Sequence, residues 1–90
     1  MFSPPRSLTF DNAAAVLEAG LHAIAGGQRE IDLAGLEAVD SAAVAVLLAW
    51  QRAGRPLVFS SLPPNLQSLI DLYGVNSLLS LAPATDTAAY

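Results

Sequence analysis

The sequence predicts an α/β domain with a partly parallel sheet. Two observations carry this. Helix-like and strand-like segments alternate along the chain, as helix, strand, helix, strand, helix. Glycines punctuate the ends of all three helical segments, at Gly26-Gly27, Gly54 and Gly74. Connections between parallel strands through helices are then expected to be right-handed. Ninety residues fit one domain with a small core, so residues 1–90 are read as a single unit.

Each element has a local reason. Residues 1–7 read as an irregular start, because Pro4-Pro5 cannot donate to a sheet. "SLTF" is either a short edge strand or the lead-in to a helix. "DNAAAVLEAGLHAIAGG" is that helix, capped by Asp11 or Asn12. Ala13, Val16, Leu17, Gly20, Leu21 and Ile24 recur at helical spacing and form its buried stripe. Gly20 is expected to let the helix pack closely on the sheet. "EIDL" reads as a central strand and "AGLEAV" as a loop turning at Gly35.

"DSAAVAVLLAWQRAG" is the second helix, capped by Asp40 or Ser41 and ended by Gly54. Its larger apolar residues are Val44, Leu47, Leu48 and Trp50. A strand follows around residues 57–59. "PPNLQSLIDLYG" is the third helix, with Pro64 in its first turn and Leu66, Leu69, Ile70 and Tyr73 as its apolar set. "VNSLLSLA" reads as a short strand or short helix, and residues 83–90 as a frayed tail.

Composition narrows the function classes. Hydrophobic residues make up 53% of the chain and charged residues 13%, so part of the surface is expected to be covered by a partner or a second copy. The net charge is −4, and Arg6, Arg29, Arg52 and Arg55 are too few for a basic patch. Nucleic-acid binding and polybasic membrane attachment are therefore disfavoured. Without cysteine there is no disulfide framework, thiol catalysis or thiolate metal site. The N-terminus lacks the apolar core of a secretory signal, and no apolar run approaches the ~18 residues of a membrane span. A cytoplasmic chain with no membrane insertion is the expectation.

Chemistry-bearing residues are few. His22 is the only histidine and reads as a surface residue of the first helix. Asp32, Glu37 and Asp40 supply carboxylates that suit Mg²⁺, yet no phosphate-cradling loop accompanies them. They read better as a strand-end residue, a solvated residue and a helix cap. Ser41 has no histidine nearby in sequence and the chain has no lysine, which disfavours serine-hydrolase chemistry. A serine in the first turn of a helix stands beside a positive dipole end, where a phosphoryl group or a docking partner is favoured. No cofactor is expected.

"IDLAGLEAVDSAAVAVLLAW" resembles the signature of the STAS domain, the sulfate-transporter and anti-sigma-factor-antagonist family. Asp32-Leu33-Ala34-Gly35 stands for its "DLSG" strand end, and Asp40-Ser41-Ala42-Ala43 for its Asp-Ser/Thr helix start. Leu57-Val58-Phe59, Leu62-Pro63 and Leu72-Tyr73-Gly74-Val75 resemble the strand, loop and closing helix of the MlaB-type branch. The resemblance spans residues 8–81. It implies a small mixed sheet with helices mainly on one side and a non-enzymatic, partner-binding role.

In the MlaB branch the Asp-Ser/Thr position lies at the contact with the ATPase subunit of an ABC transporter, which moves phospholipid between the membranes of Gram-negative bacteria. In anti-sigma-factor antagonists the same position is phosphorylated by a kinase partner. Carried over, Asp40, Ser41, Ala42, Ala43 and Val44 form the partner-binding site, and Ser41 is the contact or phosphoacceptor.

Three departures accompany the resemblance. The N-terminal strand is short or missing, which leaves a sheet edge that a homodimer would cover. Ala42-Ala43 replaces the usual glycine, which favours a standing contact over a phosphorylation switch. The second helix ends early, at Gly54.

Overall fold

The structure, a computed structural model, describes residues 2–54 and 56–81. Its elements follow in the order β1 (Ser7–Leu8), α1 (Ala13–Ala25), β2 (Glu30–Asp32), β3 (Ala38–Val39), α2 (Ser41–Ala53), β4 (Val58–Ser60) and α3 (Pro64–Tyr73). A 3-10 turn over Asn76–Leu78 closes the described chain. The α/β class holds.

β1 pairs with β3 and β2 with β4, in two small sheets. Every described pairing is parallel, because each strand reaches its neighbour across a helix. Phe2 bridges to Ile31 on one side of the β2–β4 pair, and Leu81 bridges to Phe59 on the other.

Two segments are more ordered than the sequence reading expects. Residues 34–39, expected as a loop, contain β3. A two-residue strand shows no alternation to read; its register comes from β1 lying alongside. Within residues 1–7, expected as irregular, Phe2 donates its amide to the Glu30 carbonyl and accepts from Asp32 N, at 3.1 and 2.8 Å. A bare sheet edge is the expectation from the short start; at β2 the edge is covered at that point by Phe2. Residues 75–81 combine the two expected alternatives, a helical turn followed by a strand bridge. The tail expected over 83–90 lies outside the described residues.

The helix ends obey their local signals. Asp40 adopts extended backbone and its carboxylate accepts from Ala42 N, so α2 begins at Ser41. Gly74 takes the left-handed conformation, φ 67°, and stops α3. Asn12 precedes α1, but its side chain points backwards: Oδ1 accepts from Thr9 N and Nδ2 donates to the Ser7 carbonyl. It staples the turn between β1 and α1 rather than capping the helix.

α2 is the middle helix, packed against both α1 and α3. Its inner face buries Ala43, Leu47 and Trp50 completely. Trp50 anchors three parts of the molecule. Its indole N–H donates to the Leu17 carbonyl at 3.0 Å, its ring meets Phe2 edge-on with centroids 5.6 Å apart, and it lies over Gly20. Gly20 is therefore needed for helix–helix contact, not for the sheet contact expected of it: a Cβ there would overlap the indole. Gln51 is also buried. It donates to the Leu57 carbonyl and accepts from Ser80 N, at 3.1 and 2.7 Å, tying the closing segment to the entry of β4.

Candidate functional site

β3 delivers the chain to Asp40, and Asp40 uses both carboxylate oxygens. One accepts from Ala42 N at 2.8 Å and starts α2. The other accepts from Phe10 N at 3.1 Å, at the exit of β1. The same residue thus caps a helix and fixes the backbone of an aromatic residue that is 76% exposed. Phe10 and Ser41 come to line one surface, although thirty-one positions separate them in sequence.

Ser41 is half-buried at the first turn of α2, where two shallow apolar grooves meet. One, of about 370 Å³, lies between α1 and α2; Phe10, Ala13, Leu17, Ser41, Ala42 and Val46 line it. The other, of about 380 Å³, lies between α2 and the end of α3, lined by Ser41, Val44, Ala45, Leu48, Tyr73 and Val75. Ser41 and Ala45 belong to both. They stand one helical turn apart and form the ridge between the grooves.

The residues expected at the site divide accordingly. Asp40 and Ser41 are at its centre. Ala42 lines the first groove and Val44 the second, each nearly buried. Ala43 has no exposed surface and packs into the core, so it has no face to offer a partner. Its place on the surface is taken by Ala45, which helical spacing from Ser41 indicates. Tyr73, read in the apolar set of α3, is 51% exposed and walls the second groove. Phe10 and Tyr73 carry no signal of this kind in sequence, because only the packing of α1 and α3 beside α2 brings them to Ser41.

The remaining carboxylates have local work. Asp32 accepts from Ala34 N at 3.0 Å and closes the turn after β2. Glu37 forms a two-pronged, exposed ion pair with Arg6, with both contacts at 3.2 Å. His22 is exposed on α1. Among the described residues no group of three or more His, Asp or Glu is placed to hold a metal ion. Nor is any described helix long and apolar enough to cross a membrane.

An apolar ridge at a capped helix start, grooved on both sides, is the feature that stands out on this small α/β domain. A family profile described as "Mlab, STAS domain" matches residues 7–80, which takes in every element from β1 to the 3-10 turn. The chain belongs to the MlaB-type STAS domain family. STAS domains are in general regulatory rather than enzymatic. Among curated proteins, nothing matched the chain.

Proposed function

We propose that the chain is a non-enzymatic subunit that binds the cytoplasmic ATPase of an MlaFEDB-type ABC phospholipid transporter and stabilises and regulates it. Such a transporter maintains lipid asymmetry in the outer membrane of a Gram-negative bacterium. The observation that carries this reading is the apolar surface around Ser41, in a domain of the MlaB branch. A surface of exposed Phe10 and Tyr73 flanking small residues suits a standing protein contact, since covering it removes apolar area from water.

The alternative is an anti-sigma-factor antagonist whose partner is a kinase that phosphorylates Ser41. The half-buried Ser41 at a helix start favours it. Two features weigh against it. The methyl of Ala42 stands where the family carries less bulk. The groove walls are apolar rather than basic, so a phosphate would find no cation there.

Affinity purification from the native cell tests the first reading. An ABC ATPase is expected to co-purify, and Ser41→Glu is expected to weaken the complex by putting charge into a desolvated contact. Survival of the complex with both Ser41→Glu and Ser41→Arg would rule out the site. Incubation with candidate kinases and ATP tests the alternative, with a one-phosphate increase in intact mass that Ser41→Ala abolishes as its signature.

A further inference from the structure

The segment after α3 returns to the sheet beside β4. Phe59 N donates to the Ser80 carbonyl at 2.9 Å, within the parallel bridge of Phe59 to Leu81. That register fixes the neighbouring rung of a regular parallel ladder as Ser80 N to the Leu57 carbonyl. The rung is not direct. The Gln51 carboxamide stands in it: Oε1 accepts from Ser80 N at 2.7 Å, and Nε2 donates to the Leu57 carbonyl at 3.1 Å. One side-chain amide of α2 thus holds the two strands apart. Beside it lies a hollow of about 470 Å³, walled by Pro56, Leu57 and Val58 on one side and by Ser77, Leu78 and Leu79 on the other. The returning segment is pinned at its far end. Asn76 Nδ2 donates to Asp71 Oδ1 at 2.8 Å, and Asn76 Oδ1 accepts from Gln67 Nε2 at 3.2 Å, which fastens the start of the 3-10 turn to α3.

We propose that residues 77–80 form a strap with two seats on β4, and that Gln51 is the catch between them. In the open seat the carboxamide bridges the strands, as the structure shows. In the closed seat it withdraws, and Ser80 N donates directly to the Leu57 carbonyl. The ladder lengthens by one rung and Leu78, now 60% exposed, is drawn over the hollow. Both seats satisfy the same two backbone groups, because the carboxamide presents one acceptor and one donor where the strands present the complementary pair. An orphaned buried amide or carbonyl, the usual obstacle to such a shift, does not arise. Space for the withdrawn carboxamide exists in a second hollow of about 160 Å³, which Gln51 lines with Leu48, Arg52 and Leu78. Leu48 also lines the α3-side groove, so the catch governs how much leucine surface stands at that groove's end.

Two variants separate a catch from a fixed strut. Leucine at position 51 keeps the bulk but has no hydrogen-bonding group, so the strands stay apart. In Gln51→Leu, amide exchange at Ser80 is expected to rise about tenfold, the scale of one lost hydrogen bond. Alanine removes the bulk, and the strap closes. In Gln51→Ala, Ser80 is expected to stay protected, and a scalar coupling across the hydrogen bond appears between Ser80 N and the Leu57 carbonyl carbon. Gln51→Ala is also expected to keep the higher urea midpoint of the two, the reverse of the usual penalty for truncating a buried side chain. In the parent, relaxation dispersion at Ser80 is expected to report a minor state with the chemical shift of the alanine variant. Fast Ser80 exchange or no direct coupling in Gln51→Ala, unchanged exchange in Gln51→Leu, a lower midpoint for the alanine variant, or flat dispersion in the parent overturns the proposal. Each is read on the isolated protein, so the strap stands or falls separately from ATPase docking.

Discussion

At the scale of single residues, Asp40, Gly20 and Gln51 concentrate most consequence in the fewest atoms. Asp40 accepts from two backbone amides on different elements. Asp40→Ala is expected to cost about 1–2 kcal/mol, the usual range for a lost cap, read from the urea midpoint. It should also loosen residues 9–11, visible as faster amide exchange at Phe10. Gly20→Ala has two opposed effects. Alanine gains about 1 kcal/mol over glycine in an open helix, but here its methyl falls on a rigid, fully buried indole. Overpacking of this kind costs about 1–3 kcal/mol, so the net effect is destabilising and a lower melting temperature is the expected outcome. Gln51→Leu leaves the Leu57 carbonyl and Ser80 amide without their side-chain partner. A loss of about 1–3 kcal/mol is expected in denaturant titration.

Among the elements, α2 joins fold to function. Its inner face supplies Leu47 and Trp50 to the core, while its outer stripe presents Ser41 and Ala45. This division is why Ala43 and Ala45, chemically identical and two positions apart, have opposite fates. α3 ends where it does because Gly74 enters the left-handed region with nothing near its α-carbon. Gly74→Ala should therefore cost only the conformational term, about 1 kcal/mol, and thermal unfolding checks it. A larger loss would mean that the path from Tyr73 into Val75, and with it one wall of the α3-side groove, depends on that turn.

For the whole molecule, the short parallel strands make the edges a concern. Phe2 covers the β2 edge with backbone hydrogen bonds and sets its ring against Trp50. Removing residues 1–5 is expected to expose that edge and to raise self-association at a given concentration, as followed by light scattering. Unchanged association would show that the edge is protected by other means. The apolar surface at Ser41 lies on α2, a different part of the molecule, so the proposed docking and edge association should respond to different variants.

The sequence by itself determined the α/β class, the family resemblance and the ends of α2 and α3. The reason is range. Asp40 capping Ala42 and Gly74 turning left-handed are interactions within a few residues, so their chemistry is written next to where it acts. Asp40 and Ser41 were legible as a helix cap on the same ground, and as a candidate site only through the family resemblance. Tertiary structure decided the rest. β3 exists because β1 lies beside it, and Gly20 is required because Trp50 crosses α1. The faces of the site, with Phe10 on one side and Tyr73 on the other, follow from packing α1 and α3 against α2. Apolar spacing marks which residues tend to leave water, but which of them stay exposed depends on the neighbour each helix finds, and that neighbour lies tens of positions away.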